Sequence, residues 1–524
     1  MTDLAAQQQL IAALRDPGCY PHPAKTVRLV ETHISWVLLA GRYAYKIKKA
    51  VDLGFLDFTT LEARRFYCTE EIRLNRRSAP HSYLDVVAIG GAPQQPQFGM
   101  QPAIEYAVKM RRFPAACFMD KMLRAGKIEG RHIDSLAATL ASFHAGLPAV
   151  ASDSGYGRGE SIRAAAMQNF EPLPVDELTA SLRQATVAAF AQCEPVFAER
   201  RAQGFVRECH GDLHLGNIVL LDDAPVPFDC IEFNPDLRWI DVMSEVAFTM
   251  MDMLYRQQPQ FAWRFINAYL EKSGDYGGVA VLRFYLAYRA TVRAKVATIR
   301  ARQPGQSKRV LQNEANECSS YLMLAQHCLS SQRPALIITC GLPGSGKSTF
   351  AQTALERHGA IRIRSDVERK RLFGLQALEN SRSGAGEGIY RAAATQQTYA
   401  RLLQLAQQIL AAGFTVIVDA AFLKRQEREQ FQVLAQSMDV PFVIAAMQAS
   451  GEVMQARILK RQAGRQDASE ADLAVLKLLQ AVQEPLAGQE LAHSITFANN
   501  ATTAPDSSAA WEQLAAVLKC GVVR

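Results

Sequence analysis

The sequence contains two glycine-bearing motifs, roughly one domain apart, and they constrain the possible fold more than any other feature. The segment 341–348 matches the pattern G-x-x-x-x-G-K-[ST], and the segment 210–217 matches H-x-D-x-x-x-x-N. The first pattern occurs where a buried strand of a parallel sheet turns into a helix. The second occurs in a loop that leads into a short strand pair. The two motifs therefore predict two domains of different fold in one chain.

The sequence around 341–348 supplies the strand and the helix that the first pattern needs. The apolar run 335–340 is typical of a buried parallel strand, and 349–357 has helical character. The glycines let backbone N–H groups curl around phosphates, and the helix N-terminus adds a partial positive charge. Lys347 is expected to reach the β- and γ-phosphates of ATP, and the Ser348 hydroxyl to bind Mg²⁺. The predicted nucleotide-binding residues here are Gly341, Gly344, Ser345, Gly346, Lys347, Ser348 and Thr349.

Two aspartates follow predicted strands on the carboxyl side of this motif. Asp366 comes after the strand 360–363, where we expect it to accept the proton of a substrate hydroxyl. The alternative is that Ser365 or Asp366 caps the helix 367–373. Asp419 ends the apolar strand 414–419 and has the form of a Walker-B carboxylate that holds the metal's water shell. No Glu follows Asp419, which argues against an ATPase that primes water and favours transfer to another acceptor.

Three arginines recur at four-residue spacing further along the chain, at Arg457, Arg461 and Arg465. They have two interpretations. They could be the solvated face of a helix, or they could belong to a lid that closes over the transferred phosphate.

Residues 335–500 resemble small P-loop kinases of the zeta-toxin, gluconate-kinase and polynucleotide-kinase type. The resemblance rests on the P-loop, on the stretch with Ser365, Asp366 and Arg369, on Asp419 and on the lid arginines. It implies that Asp366 activates the substrate. The predicted catalytic residues of this half are therefore Asp366, Lys347, Arg457 and Arg461. The two arginines match the lid of the family only loosely.

The motif at 210–217 has a spacing with a direct chemical reason. Asp212 would orient and deprotonate an acceptor hydroxyl, and Asn217 would turn back to hold Mg²⁺ on the ATP phosphates. A predicted hairpin, 218–221 and 226–229, then brings in Asp229 as a second metal carboxylate. Cys230 follows Asp229 in place of the Phe of a D-F-G motif, so the chain is not a eukaryotic-type protein kinase.

Residues 25–330 resemble the aminoglycoside phosphotransferase family, on the segment 210–217 together with Asp229 and Asp241. The resemblance implies a kinase fold that phosphorylates small hydroxyl-bearing molecules, with His210 as a residue that braces the backbone. It also implies that the segment 108–114 is a hinge that meets adenine.

A phosphate-gripping lysine belongs in the predicted strand 43–47 of this resemblance. Lys46 and Lys48 face the same way in a strand, and Lys46 is the predicted residue. Its partner is Glu70 or Glu71 on the following helix, and Glu71 is favoured. No G-x-G-x-x-G precedes the lysine, since the turn 31–35 stands there instead.

The bulk properties set the remaining bounds. The chain has 524 residues, 49% of them hydrophobic and 21% charged, with a net charge of +7 and no basic run long enough for a nucleic-acid arm. The mild basic excess suits phosphate-bearing substrates as well as plain solubility. Ten scattered cysteines, no signal peptide in 1–16 and no bilayer-length apolar run lead us to expect a cytoplasmic protein without disulfides.

The predicted architecture is a multidomain protein of mixed α/β and α+β class. The resemblance to aminoglycoside phosphotransferases implies a protein-kinase-like bilobal fold first, with a small antiparallel-sheet lobe at 1–114 and a helical lobe with the catalytic loop at 115–330. A P-loop domain with a parallel sheet follows at 331–524, after a linker at 330–334.

The leading functional hypothesis is a bifunctional phosphotransferase that uses ATP and Mg²⁺ to phosphorylate hydroxyls of small molecules, such as sugars or nucleosides. Its oligomeric state is left open. One alternative is that the P-loop half acts on a nucleic-acid 5′ end or a nucleotide sugar, with nucleic acid the weaker acceptor. Another is that one module is a nucleotide-sensing regulator or ATPase switch for the other.

Overall fold

A computed structural model describes residues 4–54, 56–302, 306–330, 333–383, 387–464, 467–500 and 508–519. The chain forms two compact units. The first consists of Met1–Ala165 and Phe197–Asp252, and the second of Ala166–Val196 and Met253–Arg524.

The first unit contains a six-stranded antiparallel sheet. Its strands are β1 (Val27–Glu31), β2 (Ser35–Ala40), β3 (Tyr43–Lys48), β4 (Tyr83–Ala92), β5 (Gln95–Phe98) and β6 (Ala103–Arg111). Their order in the sheet is β1-β2-β3-β6-β4-β5. Gly41 has a φ of +55° in the turn between β2 and β3, a conformation that glycine adopts without strain.

Four short strands frame the motif at 210–217. They are β7 (Val206–Glu208), β8 (Ile218–Leu221), β9 (Ala224–Pro227) and β10 (Trp239–Asp241), with β7 paired to β10 and β8 paired to β9. The loop thus leaves β7 and enters the β8–β9 hairpin, and Asp229 lies just beyond that hairpin.

The helices of the described residues belong to both units. They are α1 (Leu4–Ala13), α2 (Leu61–Asn75), α3 (Met119–Arg124), α4 (Gly130–Gly146), α5 (Gly159–Gln168), α6 (Glu177–Ala202), α7 (Val242–Tyr255), α8 (Pro259–Ser273), α9 (Val279–Ala301), α10 (Lys308–Leu329), α11 (Lys347–His358), α12 (Ser365–Leu372), α13 (Ala392–Ala411), α14 (Arg425–Ser437), α15 (Gly451–Gly464), α16 (Leu473–Val482), α17 (Gln489–Ala492) and α18 (Ser508–Lys519).

Helix α2 packs on the sheet of the first unit and positions a carboxylate against it. The Thr60 hydroxyl accepts a hydrogen bond from the Ala63 backbone N–H and so caps the helix. Cys68 and Ile72 of α2 are buried in one cluster with Val108 of β6. This packing brings Glu71, on the same helix, to the buried side of the sheet.

The second unit contains a five-stranded parallel sheet. Its strands are β11 (Leu336–Cys340), β12 (Ile361–Arg364), β13 (Val416–Asp419), β14 (Phe442–Gln448) and β15 (Ser494–Ala498), in the order β12-β13-β11-β14-β15. All four strand pairs are parallel. The carboxyl ends of β11, β12 and β13 therefore lie at one edge of the sheet, which is where doubly wound folds bind ligands.

The predicted combination of an antiparallel sheet and a separate parallel sheet is confirmed. The linker predicted at 330–334 lies in part outside the described residues, as does Arg465, and the domain boundary at 331 stays a prediction. No helix among the described residues is both long and apolar enough to cross a membrane.

Candidate functional site

The P-loop of the second unit depends on glycine at two crowded positions. Gly344 has a φ of +82°, and a Cβ there would lie 2.7 Å from the Met454 carbonyl oxygen. Gly346 has a φ of +100°, and a Cβ there would lie 1.6 Å from Nδ2 of Asn499. Only glycine fits both the backbone conformation and the space. The loop then enters α11 at Lys347, so the first N–H groups of that helix face the loop.

Residues from separate segments of the second unit line one cavity of about 1300 Å³. They include Lys347 from the P-loop, Asp366 after β12 and Asp419 at the end of β13. Burial lowers the pKa of Lys347, although Asp419 and Asp366 oppose that shift. The three side chains therefore interact electrostatically within one site. Asp366 is the second residue of α12, whose N-cap position is Arg364, so Asp366 is not the N-cap that the alternative interpretation required, and its catalytic role stays a prediction.

The second half of the chain contributes two of the three predicted lid arginines to the same cavity. Arg457 on α15 donates to the Gly344 carbonyl oxygen at 3.2 Å, and Arg461 donates to the Ala471 carbonyl oxygen at 2.6 Å. Asn499, just after β15, receives a hydrogen bond from Arg457 at 3.1 Å and donates one to the Ser345 carbonyl oxygen at 2.9 Å. Asn499 thus ties the P-loop to α15.

Arg369 lies on the acceptor side of the cavity, one turn of α12 beyond Asp366. Its guanidinium donates to the Ile389 carbonyl oxygen at 3.0 Å and to the Thr395 hydroxyl at 3.1 Å, and it lies 5.3 Å from the centre of the Tyr390 ring. Its position is therefore fixed by the segment that precedes α13 and by the first turn of α13.

The first unit brings Asp212 and Asn217 of the other motif into direct contact. The Asn217 side-chain amide donates to the Asp212 backbone carbonyl at 2.9 Å and to its carboxylate at 3.1 Å. His214 has one ring nitrogen 3.5 Å from the Asp212 carboxylate, and the other accepts from the Gly216 backbone N–H at 3.1 Å. These contacts fix the loop that carries both predicted functional residues.

Two buried carboxylates of α7 accept hydrogen bonds from the backbone of the loop 210–217. Glu245 on α7 accepts backbone N–H bonds from His210 at 2.6 Å and from Gly211 at 2.8 Å, and its other oxygen lies 2.8 Å from the His144 ring. Asp252 accepts from the Leu215 backbone N–H at 2.9 Å. His210 itself lies 2.7 Å from the Phe228 carbonyl oxygen, which joins the loop to the segment before Asp229. Asp241, the other residue of the predicted motif set, is paired bidentately with Arg200.

Glu71 of α2 is the buried carboxylate that contacts both candidate lysines of β3. Its two oxygens lie 2.9 Å from Lys46 Nζ and 2.8 Å from Lys48 Nζ. Lys46 also contacts Asp229 at 2.5 Å, and Lys48 is paired with Glu232. Glu70, by contrast, is paired with Arg73. Lys46 thus joins Glu71 and Asp229 in one chain of ion pairs, and its role toward ATP stays a prediction.

The charges of this cluster are set by their mutual contacts. Burial would raise the pKa of Glu71, but Lys46 and Lys48 outweigh it and lower the pKa. Burial would likewise lower the pKa of Lys48, but Glu232 and Glu71 outweigh it and raise the pKa. The lysines and Glu71 are therefore charged at neutral pH.

The donor sets of both units suit a divalent cation such as Mg²⁺. In the second unit, Oδ2 of Asp419 is buried and has no hydrogen-bond partner among the described residues, while the Ser348 hydroxyl lines the same cavity. An unsatisfied buried carboxylate oxygen next to a P-loop is what a metal or its water shell would complete. In the first unit, Asp229 and the amide of Asn217 provide the oxygen donors, and the Asp229 carboxylate is still 42% exposed.

Asp229 is held in an uncommon backbone conformation, with a φ of +66°. Its backbone N–H donates to the Tyr83 hydroxyl at 3.0 Å, and the next N–H, that of Cys230, donates to the Asn75 side chain at 2.9 Å. These bonds stabilise the turn that directs the carboxylate toward Lys46.

Three residues of these sites were not predicted from the sequence motifs. Glu232, Glu245 and Asn499 each make their contact across a large separation along the chain. None lies within either motif. Glu232 stands three residues after Asp229, which is the one local hint available.

Two family models match this chain. The model described as "Phosphotransferase enzyme family" matches residues 122–284, and the model described as "AAA domain" matches residues 336–486. The first match includes Asp212, Asn217 and Asp229, and the second includes the P-loop, Asp366 and Asp419. Kinases of these kinds use ATP and a divalent metal and act on a small-molecule substrate.

The whole chain has relatives in mycobacteria. It is 30% identical over 477 residues to "Uncharacterized protein Rv2004c" of Mycobacterium tuberculosis (strain ATCC 25618 / H37Rv), a match that covers 89% of this chain and 93% of the relative. An uncharacterized protein of Mycobacterium bovis matches with the same identity and coverage.

Solved structures resemble parts of the chain. The amicoumacin kinase hAmiN in complex with AMP-PNP, Ca²⁺ and Ami is 14% identical, with 60% of this chain and 93% of that chain covered and a TM-score of 0.40. A gluconokinase from Sinorhizobium meliloti 1021 is 18% identical, with 36% and 95% covered and a TM-score of 0.26. At these scores the likeness carries no argument about the site. The match over 89% of the chain and the two family models together identify the chain as a kinase that joins a phosphotransferase-family domain to a P-loop kinase domain, in the family of these mycobacterial proteins.

Proposed function

We propose that the chain is a bifunctional phosphotransferase, with two sites that each transfer the γ-phosphoryl group of ATP, with Mg²⁺, to a hydroxyl of a small molecule. One observation carries the proposal for the P-loop site. Residues from four separate segments, Lys347, Asp366, Asp419 and the pair Arg457 and Arg461, line a single cavity of about 1300 Å³. That volume exceeds the range typical of a single small-molecule pocket, so it accommodates a nucleotide and an acceptor together.

At the P-loop site, the proposed chemistry divides between acceptor activation and charge stabilisation. Asp366 accepts the proton of the acceptor hydroxyl. The hydroxyl oxygen then forms a bond to the γ-phosphorus, while the bond between the γ-phosphorus and the β-phosphate oxygen breaks. Lys347, Arg457 and Arg461 stabilise the negative charge on the phosphoryl oxygens and on the departing ADP. A divalent cation held by Ser348 and Asp419 would neutralise phosphate charge.

At the site of the first unit, the same division applies with different residues. Asp212 accepts the proton of the acceptor hydroxyl, and its contact with Asn217 holds it in place. Lys46, positioned by Glu71, binds the ATP phosphates. Asn217 and Asp229 would hold the metal.

The experiment is ATP consumption by the full chain against a panel of sugars, nucleosides, nucleotide sugars and aminoglycosides. The variants are Asp212→Ala and Lys347→Ala, with Asp439→Ala as a control, since Asp439 is an exposed carboxylate outside both sites. An acceptor whose phosphorylation is lost in only one of the two site variants belongs to that site. The proposal predicts at least one such acceptor for each.

Other outcomes would replace the proposal. Consumption that no acceptor stimulates, but that disappears in Lys347→Ala, would indicate an ATPase or a nucleotide switch. ATP binding without turnover at the first site would make that module a sensor for the second.

A further inference from the structure

Helix α8, at 259–273, covers the edge strand of the P-loop sheet. Asn267 of α8 donates to the Ala360 carbonyl oxygen at 2.9 Å and accepts from the Arg362 backbone N–H at 2.6 Å. It therefore pairs with two backbone groups on the open side of the sheet, the Arg362 N–H of β12 and the carbonyl of Ala360, the residue just before β12. Helix α8 lies within 122–284, the range of the phosphotransferase family match, and yet it belongs to the same compact unit as the P-loop.

The same helix presents a carboxylate to two arginines of β12. Glu271 lies 2.9 Å from Arg362 and 2.9 Å from Arg364, one carboxylate oxygen to each. Burial would raise the pKa of Glu271, but Arg364 and Arg362 outweigh it and lower the pKa. Glu271 is therefore a charged partner at neutral pH.

Arg364 connects this carboxylate to the cavity. Its Nη1 binds Glu271, its Nη2 binds Asp467 at 2.8 Å, and its Nε faces Oδ2 of Asp419 at 3.6 Å. The last distance is too long for a hydrogen bond. Arg364 is thus within reach of Asp419 but is held by two other acids, and the buried Oδ2 of Asp419 is left without a hydrogen bond.

We propose that Glu271 is a positioning residue of the P-loop site, which acts by holding Arg364 away from Asp419 so that the Asp419 carboxylate stays available to a divalent cation. The proposal rests on the role of Asp419 proposed above but does not require phosphoryl transfer. Without the Glu271 charge, Arg364 loses one of its two close anionic partners and moves onto Asp419. The guanidinium and the metal then compete for the same oxygen.

The test measures binding of a fluorescent ADP analogue (mant-ADP) to the full chain while Mg²⁺ is titrated. The part of the signal that is lost in Lys347→Ala defines the P-loop site. In Glu271→Gln, the Mg²⁺ concentration for half-maximal binding should rise about tenfold, the lower end of what the loss of an outer-sphere partner costs a metal site. Binding in EDTA should change less than about twofold, which confines the effect to the metal.

Two further variants separate positioning from general damage. Arg264→Gln removes an ion pair from the same helix to Glu356 on α11, away from Arg364, and it should leave the Mg²⁺ requirement unchanged. The double variant Glu271→Gln with Arg364→Gln should need less Mg²⁺ than Glu271→Gln alone, because the competing guanidinium is gone. Arg364→Gln alone should not raise the requirement, and it serves as the test if Glu271→Gln does not fold.

The proposal is overturned by any of three results: an unchanged Mg²⁺ requirement in Glu271→Gln, an equal rise in Arg264→Gln, or a requirement in the double variant as high as in the single one. None of these depends on whether an acceptor is phosphorylated. A failure of the positioning proposal is therefore distinct from a failure of the proposed phosphotransferase activity.

Discussion

Glu71→Gln perturbs the most densely charged buried point of the first unit. The Glu71 side chain is fully buried, and it compensates two ammonium groups, those of Lys46 and Lys48, at 2.9 and 2.8 Å. The glutamine has nearly the same shape but no charge. Among the described residues, the carboxylates still paired with the two lysines would then be Asp229 and Glu232.

The expected cost follows from the burial. Removing one partner of a buried ion pair destabilises by about 3–5 kcal/mol, because the remaining charge stays buried without compensation. The matched control is Glu70→Gln on the neighbouring residue, whose close partner Arg73 has a side chain 47% exposed, with Arg238 farther away at 3.8 Å. An exposed pair of that kind contributes less than about 1 kcal/mol. The difference between the two variants should therefore be at least about 2 kcal/mol.

Urea unfolding can be followed at a single buried thiol, so that the signal reports on the first unit and not on the rest of the chain. Cys68 is fully buried on the same helix as Glu71, so its alkylation, followed by mass spectrometry, reports the opening of that region. With a urea m-value of about 2–3 kcal/mol/M, a loss of about 3 kcal/mol lowers the midpoint by about 1–1.5 M. Equal midpoints for Glu71→Gln and Glu70→Gln would refute the electrostatic account of this cluster.

Three further predictions concern other parts of the molecule. Gly346→Ala should weaken nucleotide binding at the P-loop site at least tenfold by calorimetry, since the added Cβ would meet Asn499. The control Gly374→Ala has a similar positive φ but open space around it and should not weaken binding, so equal effects would contradict the steric reasoning. Glu245→Gln should lower kcat at the first site at least tenfold with a smaller change in KM for ATP, because the loop 210–217 loses a charged acceptor for two of its backbone N–H groups. A change in KM alone would contradict this prediction. Acid should destabilise the first unit through Glu71, because folding lowers the pKa of this carboxyl from 4.5. The contribution of Glu71 to the free energy of unfolding is therefore present above pH 4.5 and is lost as the pH falls through the lower pKa of the folded state. Urea midpoints measured over a pH series should depend less on pH in Glu71→Gln than in wild type.

The residues that could be predicted from the sequence are those whose positions are set by local spacing. The P-loop follows β11 directly, and Asp419 ends β13, so a motif and a strand boundary were enough to predict that they lie at one edge of the sheet. The same holds for the hairpin that brings Asp229 toward Asn217. Here the chain between the functional residues is short, and its geometry leaves few alternatives.

The two-residue period of a strand explains what the sequence left open in β3. Lys46 and Lys48 face the same side, and the pattern alone does not distinguish them. In the structure both contact Glu71, and only Lys46 reaches Asp229. The segment after the β8–β9 hairpin makes that distinction, because it brings Asp229 to Lys46, and no local pattern of β3 contains that contact.

Long-range partners could not be predicted for the same reason. Asn499 holds the P-loop from the end of β15, and Glu271 reaches β12 from a helix in the other family match.

The central claim is that acceptor phosphorylation at the P-loop site depends on a carboxylate that takes the hydroxyl proton. The most direct measurement is kcat for label transfer from γ-labelled ATP to an acceptor assigned to that site, in wild type, Asp366→Asn and Asp212→Asn. The account predicts a fall of at least about 100-fold in Asp366→Asn with KM for ATP nearly unchanged, and no change in Asp212→Asn. Full transfer by Asp366→Asn would contradict it.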